Sequence, residues 1–585
     1  MKRLLLYVHF NKFNQLSSHV EYQLSQLRSL FSNIVFISNS SLEKLDEDRL
    51  KQKYLINDII YRENIGFDFA AWRDGMTHVG FEELKQYDSV TLMNDTCFGP
   101  LWDISDLFNE FEQNPTVDFW GMTNFRATSQ FKEHIQSYFL SFSQRVVRSE
   151  VFQEFWMRVR NFVDVQDVIN HYETQVTTNL VEAGFTYQTV FDTTKEDASH
   201  MLHPDFSYYN PTAILTHRVP FIKVKTIDAN QHIIPYILQE VDQSTDYPVD
   251  LIVSHMSKIN YPDFKYLLAH KYIRPLDKVY SNQKKVAVHL HVFYVDLLQE
   301  FLSAFEAFSF QYDLFITTDK QEKVDQINAI LDTNEKKAQV FVTGNIGRDV
   351  FPMLQLKEYL QKYDYVGHFH TKKSKEADFW AGESWRKELI DMLIKPANTI
   401  LAHLEEKDDL GLVIADIPTF FRYNKIVDAW NEHSMAPLMN ELWQKMGMSK
   451  AIDFGTFQTF VMSYGTFVWF KYDALKPLFD LNLKQEDIPR EPLPQNTILH
   501  AIERLLVYVA WNEQYDFRIS QNPIPLTPFI DNKLLNERNN LYLKNVGELY
   551  HFGSVKGAIK YMIIAPLKAS KYIMRRCIEK LKTKA

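Results

Sequence analysis

Asn64-Ile65-Gly66-Phe67-Asp68 and Asn345-Ile346-Gly347-Arg348-Asp349 are two copies of one short motif, and the segments around them repeat as well. Each copy follows an apolar, basic-flanked strand that ends in histidine (Lys2 to His9, and Lys284 to His291), then a helix-length segment and a second apolar strand. A further helix and a strand introduced by Tyr-Asp come after each copy. This many elements in the same order indicate that the chain contains two related halves.

Predicted strands alternate with predicted helices in both halves. This alternation is typical of α/β units built on a parallel, doubly wound sheet. Such sheets bind ligands at the carboxyl ends of their strands, where both copies of the motif are expected. We therefore predict an N-terminal domain over residues 1–275, a C-terminal domain over 280–535 and a separate tail over 540–585.

Composition and charge exclude several classes of protein. The chain has 585 residues, of which 45% are apolar, as in packed globular proteins. Its net charge of −10 argues against a nucleic-acid partner. Glycine-rich dinucleotide and phosphate-loop motifs, the Gly-x-Ser-x-Gly elbow and the His-Glu-x-x-His zinc motif are all missing from the sequence.

The cysteines and the apolar runs bear on location. Cys97 and Cys577 stand far apart, which indicates no disulfide framework and favours a reducing compartment. The apolar run within Met1 to Phe10 is too short for a signal peptide and is better interpreted as a buried strand. No stretch reaches the ~20 apolar residues of a membrane-spanning helix. A cytoplasmic location is expected.

In the first half, the strand that begins at Tyr87-Asp88 ends in Asn94-Asp95-Thr96. If these strand ends bind a nucleotide sugar, its diphosphate normally comes with a divalent cation, and a hard cation such as Mg²⁺ or Mn²⁺ needs oxygen ligands. Asp95 is therefore the candidate metal ligand, and Asn94 is a candidate contact to the donor. The alternative is a turn or helix cap, which Asn-Asp-Thr serves equally well.

A second acidic candidate lies in His171-Tyr172-Glu173-Thr174, which leads into Glu182-Ala183-Gly184-Phe185. This segment resembles the acidic segment of inverting GT-A glycosyltransferases, in which a carboxylate begins a helix and deprotonates the acceptor hydroxyl. Inversion requires a base opposite the leaving nucleotide, and Glu173 is the candidate. The alternative is a carboxylate favoured at a helix start by the helix dipole alone.

Polar and aromatic residues between these segments suggest a surface for an acceptor sugar. They are Trp120, His134, Gln136 and Tyr138. The same residues suit a core strand equally well, and the sequence leaves both interpretations open.

In the second half, the counterpart of the Asn94-Asp95 strand ends in His368-Phe369-His370-Thr371-Lys372-Lys373. Strand alternation puts His368 and His370 on one face. Together with Arg348 and Lys372, they are predicted to hold a diphosphate without a metal. The alternative is a solvated basic loop. Glu491 occupies roughly the position that Glu173 has in the first half, and we predict it as the second catalytic carboxylate.

The last 31 residues differ from the rest of the chain. Val555 to Ala585 carries nine basic side chains and one acidic one, and apolar residues recur at helical spacing. A basic amphipathic helix in an otherwise acidic chain indicates association with the anionic inner leaflet of a membrane. The alternative is a helix packed on the body of the protein.

Four motifs resemble the rhamnan synthesis F family: Asn64 to Trp72, Asn94 to Pro100, Gly347 to Val350 and His368 to Ser374. The Lys- and Phe-rich composition resembles that of its streptococcal members. The resemblance implies two tandem GT-A-like domains. It also implies transfer of L-rhamnose from dTDP-β-L-rhamnose to an undecaprenyl-diphosphate-linked rhamnan of the cell wall, alongside other rhamnan-assembly glycosyltransferases. In a first-half site of this kind, Asn64 and Asp68 would contact the donor, as would Asp349 in the second.

The sequence departs from the usual GT-A pattern at one point that matters. The acidic-x-acidic metal motif is replaced by Asn94-Asp95 in the first half and by His368-Phe369-His370 in the second. A divalent cation is therefore expected in the first half and is uncertain in the second. Three interpretations remain open: two transferases making different linkages, one transferase with a glycan- or donor-binding module, or a scaffold for a glycan-assembly complex.

Overall fold

The computed structural model describes residues 1–199, 201, 203–262, 267–276, 278–371, 373, 379–419, 421, 434–457, 460–490, 496–524 and 555–582. Two of the predicted site residues, Lys372 and Glu491, lie outside the described residues.

The first half is built on an eight-stranded sheet, with a two-stranded sheet (β5 and β10) beside it. In the main sheet the order is β3-β2-β1-β4-β8-β6-β7, with β9 paired to β6. Strands β1 to β4 are parallel, and β8 runs antiparallel to both β4 and β6. The strands of this half are Arg3–His9 (β1), Asn33–Ser38 (β2), Asp58–Tyr61 (β3), Ser89–Asn94 (β4), Cys97–Phe98 (β5), Phe119–Phe125 (β6), His134–Ile135 (β7), Phe139–Ser143 (β8), Tyr187–Phe191 (β9) and Ile222–Lys223 (β10).

The second half repeats this arrangement in a seven-stranded sheet of order β13-β12-β11-β14-β16-β15-β17. Here β16 is the antiparallel strand between β14 and β15. Both halves thus follow the order third, second, first, fourth and then an antiparallel strand, which confirms the prediction of two tandem α/β units. The strands are Val286–His291 (β11), Asp313–Thr318 (β12), Gln339–Val342 (β13), Tyr365–His370 (β14), Leu410–Ala415 (β15), Val468–Lys471 (β16) and Asp516–Ser520 (β17).

Helices cover both faces of each sheet. In the first half the α-helices are Ser18–Leu27, Lys44–Gln52, Phe67–Val79, Phe81–Leu84, Ser105–Gln113, Gln144–Val147, Glu150–Met157, Val165–Val168, Thr174–Glu182, Phe206–Tyr209, Pro211–Thr216, Val224–Ala229, Ile234–Ser244 and Val249–Ile259. In the second half they are Leu298–Phe305, Gln321–Thr333, Val350–Gln355, Lys357–Leu360, Phe379–Leu389, Ala397–Glu406, Ala436–Lys445, Tyr472–Asp480 and Ile498–Asn512, and the tail forms the helix Val555–Lys582.

Burial on both faces explains the unbroken apolar runs of the central strands. Along β1, Leu4 and Leu6 belong to one core and Leu5 and Tyr7 to the core on the other face. The limits predicted for the domains stay predictions.

The repeated motif forms the same turn twice. Gly66 and Phe67 have φ values of 72° and 50°, and Gly347 and Arg348 have 78° and 51°. In both copies two successive left-handed residues stand at the start of the following helix, and only glycine adopts the first conformation without cost. The glycine of the motif is thus required by the backbone.

Replacing Gly66 by alanine tests this requirement. A Cβ there would lie 2.5 Å from Cβ of Ala70 and 2.9 Å from Cα of Asn161, so steric overlap adds to the backbone cost. We expect Gly66→Ala to lower the free energy of unfolding by about 2–4 kcal/mol, measured by denaturant unfolding. Gly184 has a similar φ of 88° with nothing within 4 Å, so Gly184→Ala should cost only about 1–2 kcal/mol. Equal losses would contradict the account.

Buried charges join the two halves. The ammonium of Lys271 lies 2.5 Å from the carboxylate of Asp516, and both side chains are almost fully buried. Arg518 pairs with the same carboxylate. Nearby, Lys258 pairs with Asp409 across the same junction at 3.2 Å. Charges removed from water need such partners, so the junction is a fixed contact.

Removing one of these charges should destabilise the protein strongly. Asp516→Asn leaves two buried cations facing each other, and we expect a loss of about 3–5 kcal/mol in the free energy of unfolding. The control Glu441→Gln removes the exposed pair with Lys445 and should change stability by less than about 1 kcal/mol. Comparable effects of the two substitutions, measured by thermal unfolding, would show that the junction does not depend on this cluster.

The tail helix presents a row of exposed apolar side chains. They include Ile559, Ile563, Leu567, Met574 and Ile578. Among the described residues, no helix combines the length and the apolar character needed to cross a membrane.

Candidate functional site

Two predicted site residues of the first half meet at the carboxyl ends of the central strands. Asn94 ends β4, and its side-chain amide donates to the carboxylate of Asp68 at 2.7 Å. Asp95 follows, and its carboxylate accepts from the backbone N–H of Phe10, just beyond β1, at 2.9 Å. The motif residue and the strand end that the sequence indicated are thus in contact.

Burial perturbs both carboxyl groups. It raises the pKa of Asp95 to about 8, with a further contribution from the charge of Asp68. Burial likewise raises the pKa of Asp68 to about 6, although the hydrogen bond from Asn94 opposes the shift. Two neighbouring carboxylates in a poorly hydrated position are stabilised by a cation.

The oxygen donors fit a divalent cation only in part. Asp95 and Asp68 supply carboxylate oxygens of the kind that Mg²⁺ and Mn²⁺ prefer. The side-chain oxygen of Asn94 is already used, because it accepts from the hydroxyl of Thr96 at 2.6 Å. Within the described ranges no group of three or more histidine, cysteine or acidic side chains is arranged to hold a metal. A diphosphate would have to complete the coordination.

A hydrogen-bond network holds the first motif in place, and the sequence did not single it out. Asn64 accepts from the side-chain amide of Asn39 at 3.0 Å. Arg62 donates to the side chain of Asn39 at 2.9 Å and to the carbonyl of Ile65 at 2.6 Å. Asn39 directly follows β2, so the motif is fixed to the end of that strand. In the sequence, the only sign of this network is Arg62, which stands two residues before the motif.

Glu173 is positioned by Ser137. Its carboxylate accepts from the backbone N–H of Ser137 at 3.1 Å and from the hydroxyl at 2.9 Å. Its charge also contributes to the raised pKa of Asp68, so it lies near the same strand ends. Glu173 does not begin a helix as expected. It ends a π turn, Ile169–Glu173, inside a helical run from Val165 to Glu182, and the helix dipole therefore does not explain it.

The structure corrects the prediction of an acceptor surface at Trp120. Its ring stacks on Phe111 with centroids 4.7 Å apart and packs against Phe108 and Phe139 in the core. A side chain enclosed by aromatic rings on the interior face of β6 has no surface to offer a sugar.

The other three predicted acceptor residues have internal partners. His134 bonds to the carbonyl of Lys132 at 2.8 Å. Gln136 and Tyr138 both bond to the hydroxyl of Thr123, at 2.6 and 2.9 Å. All three are buried, as in the core interpretation. Ser137, which bonds to Glu173, lies between Gln136 and Tyr138. The bonds of these two residues to Thr123 therefore fix the segment that carries Ser137.

In the second half, the predicted donor contact Asp349 is a buried charged group. Its carboxylate lies 3.3 Å from Nε2 of His368 and 3.8 Å from Nε2 of His370, and the hydroxyl of Thr466 donates to it. Burial alone would raise its pKa, but His370, His368 and Thr466 hold the pKa of Asp349 well below its usual range. Asp349 is therefore an ionised, internally paired group.

The two histidines that we predicted to bind phosphate are less accessible to solvent than the sequence suggested. His368 is fully buried, and its two ring nitrogens contact His289 at 2.8 Å and Asp349. His370 bonds to the carbonyl of Gly465 at 2.6 Å. Arg348, by contrast, is exposed beside them. His368 thus lies inside the core, whereas Arg348 lies at the surface.

Several known proteins are similar to parts of the chain. An uncharacterised protein, y4gN, of Sinorhizobium fredii is 28% identical over 29% of this chain and 43% of its own length. The uncharacterised protein WxcX of Xanthomonas campestris is 27% identical over 37% of this chain and 30% of its own length. The chain thus matches less than half the length of these relatives.

Among solved structures, the glycosyltransferase GlyE of Streptococcus pneumoniae aligns with 64% of this chain and 87% of its own, at 12% identity and a TM-score of 0.23. Glucosyl-3-phosphoglycerate synthase of Mycobacterium tuberculosis aligns with 45% of this chain and 81% of its own, at 10% identity and the same TM-score.

The family comparison covers much more of the chain. The family described as rhamnan synthesis protein F matches residues 34–515, which include both copies of the motif and strands from both sheets. This agrees with the resemblance found in the motifs themselves. The chain belongs to the rhamnan synthesis protein F family.

Proposed function

We propose that the chain is an inverting rhamnosyltransferase of polysaccharide synthesis. It would transfer L-rhamnose from dTDP-β-L-rhamnose to a lipid-linked rhamnan acceptor. The observation that carries the proposal is the family match across both halves. The acidic cluster of Asp68, Asp95 and Glu173 at the strand ends of the first unit supports it, because glycosyl transfer needs a base and charge stabilisation at one place.

In this mechanism the first unit carries out the transfer. Glu173, held by Ser137, takes the proton of the acceptor hydroxyl as that oxygen attacks the sugar. Asp95 would hold a divalent cation that balances the charge of the diphosphate. Asp68 and Asn94 orient the nucleotide side of the donor. The buried, raised-pKa carboxyl of Asp95 suits a site that is completed only when cation and donor bind together.

For the second unit we propose a second transferase that makes a different linkage, without a metal. Arg348 and Lys372 would hold the diphosphate, and Glu491 remains a candidate base. The alternative is a glycan- or donor-binding module. Changing Arg348 and His370 together separates the two: a second transferase would lose one linkage from the product, whereas a module would give shorter chains with all linkages present.

Donor turnover tests the proposal as a whole. The purified full chain is incubated with Mn²⁺, a synthetic undecaprenyl-diphosphate-linked saccharide and, in turn, dTDP-rhamnose, dTDP-glucose and UDP-glucose. Release of dTDP only from dTDP-rhamnose, and only with acceptor present, is the expected result. Release from none of the donors would contradict the proposal and favour a scaffold.

We further propose that the tail helix binds the inner leaflet of the membrane, where the lipid-linked acceptor and other rhamnan-assembly glycosyltransferases would be found. Exposed apolar side chains recur along Val555–Lys582, among basic residues such as Lys568 and Lys571. An apolar row with basic residues beside it suits an anionic bilayer surface.

Charge removal in the tail tests this binding. We expect the Lys568→Gln/Lys571→Gln variant to bind vesicles of phosphatidylglycerol and phosphatidylcholine about 30-fold more weakly, at about 1 kcal/mol per lysine. Co-sedimentation of the full chain measures the affinity. The control Lys320→Gln/Lys337→Gln changes two exposed lysines of the body and should bind as the unchanged protein does. Equal binding by both variants would contradict the proposal.

A further inference from the structure

The second unit contains a continuous chain of hydrogen bonds among buried side chains. The hydroxyl of Thr317, on β12, bonds to Nδ1 of His291 and to Nε2 of His289, both at 2.9 Å. Nδ1 of His289 bonds to Nδ1 of His368 on β14 at 2.8 Å, and Nε2 of His368 reaches Asp349 at 3.3 Å. These groups are buried, with His289 and His368 0% exposed and His291 3%.

Asp349 determines which atom donates and which accepts in each hydrogen bond of this chain of side chains. As an ionised carboxylate it only accepts hydrogen bonds, so Nε2 of His368 must donate. In a neutral imidazole the other nitrogen then accepts, so His289 donates from Nδ1 and accepts at Nε2 from the hydroxyl of Thr317. The oxygen of Thr317 in turn accepts from Nδ1–H of His291. At the far end of this chain of hydrogen bonds, Nε2 of His291 therefore keeps a lone pair.

We propose that this chain of hydrogen bonds is a proton relay and that His291, in place of Glu491, is the base of the second unit. The inference rests on the proposed transferase function of that unit. The acceptor's O–H proton binds Nε2 of His291, while the acceptor oxygen forms the new bond to the sugar and the nucleotide leaves with the electron pair of the old one.

Each hydrogen-bonded side chain then passes one proton to the next. Nδ1–H of His291 passes to the oxygen of Thr317, the hydroxyl proton of Thr317 passes to Nε2 of His289, and Nδ1–H of His289 passes to Nδ1 of His368. One proton has entered, and one imidazolium has formed at His368 beside the carboxylate of Asp349. Nothing else is consumed.

The charges around His291 explain why a relay is needed. Burial lowers the pKa of His291 to about 3; Asp349 and Asp319 oppose that shift, while His370 and His368 add to it. An isolated imidazole in this position would hold a proton poorly at neutral pH. Moving the proton to His368 puts the positive charge 3.3 Å from the carboxylate of Asp349.

The first unit lacks this device at the equivalent positions. His9 bonds to Ser38 at 3.1 Å, as His291 bonds to Thr317. In the strand register, however, Tyr7 and Met93 stand where the second unit has His289 and His368. The first unit instead has Glu173 as its candidate base, so the two units would use different groups to take the acceptor proton.

Two variants at Thr317 test the relay in the full-length protein. Thr317→Val removes the hydroxyl that joins His291 to His289, and Thr317→Ser keeps it. In a Glu173→Gln background, which isolates the second unit, we expect Thr317→Val to lower kcat about 100-fold with the donor KM unchanged, and Thr317→Ser to restore most of that loss. Thr333→Val, at an exposed helix end, should leave transfer unchanged. Equal kcat for the valine and serine variants would overturn the relay.

Imidazole tautomers give a readout that does not need activity. Long-range ¹H–¹⁵N spectra of histidine-labelled protein, assigned with single His→Gln variants, should show protons on Nδ1 of His289 and His291 and on Nε2 of His368. In Thr317→Val, His291 should lose its fixed tautomer. A proton on Nε2 of His291 in the unchanged protein would overturn the relay. The expected tautomers without any transfer by the second unit would instead overturn its role as a transferase, and with it the role of His291 as a base.

Discussion

Glu173→Gln is expected to lower kcat for rhamnosyl transfer by the first unit by about 10²–10⁴-fold while leaving the affinity for dTDP-rhamnose nearly unchanged. The amide keeps the size of the side chain and can still accept the hydrogen bonds from Ser137, but it cannot take a proton. General-base catalysis contributes rate enhancements of this size. Steady-state kinetics with separate donor titration distinguishes loss of catalysis from loss of binding.

Two further variants sharpen this result. Glu182→Gln, an exposed carboxylate at the end of the same helical run, should retain full activity. Ser137→Ala removes one of the two hydrogen bonds to Glu173 and should lower kcat less than Glu173→Gln does. A fully active Glu173→Gln enzyme would mean that the base lies elsewhere.

Asp95→Asn is expected to abolish the response to Mn²⁺ and to lower kcat/KM by about 100-fold or more, because a cation at a diphosphate contributes several kcal/mol to transition-state stabilisation. The amide retains one oxygen but not the charge. Donor turnover with and without added Mn²⁺ measures the effect. Asp103→Asn, at an exposed position, is the matched control. A variant still stimulated by Mn²⁺ would exclude Asp95 as the ligand.

The raised pKa of Asp95 adds a dependence on pH. Its folded-state pKa of about 8 lies above the unfolded value of about 4. This group therefore stabilises the cation-free protein below about pH 4, and that contribution is lost as pH rises through about 8. Cations compete with the proton, so Mn²⁺ should bind more weakly at pH 6 than at pH 8. The unfolding free energy of Asp95→Asn should lack this component of the pH dependence.

The repeat and the strand ends were predictable because they depend on local sequence. Apolar runs that end in polar residues predicted the central strands. In the folded sheet Asn94 lies beside Asp68. The duplicated motif indicated the equivalence of the two halves, and the family match confirmed the resemblance. The antiparallel strands β8 and β16 were harder to predict, because they follow long segments whose pairing the sequence does not specify.

Side-chain environments were less predictable because they depend on distant neighbours. Trp120 was assigned to a sugar-binding surface from its residue type, yet its position is decided by Phe108, Phe111 and Phe139. His289 and His368 lie 79 residues apart in sequence. Strand alternation predicted that the histidines of β14 share a face, but not that His289 on β11 would contact His368.

The anomeric configuration of the product tests the central claim most directly. Product formed from dTDP-β-L-rhamnose and the lipid-linked acceptor is isolated, and the one-bond ¹³C–¹H coupling at the anomeric carbon of the added sugar is measured by NMR. Inverting transfer predicts an α-L-rhamnosyl linkage, absent when Glu173→Gln is combined with Thr317→Val. A β-linked rhamnose, or an acceptor that gains no rhamnose, would contradict the account.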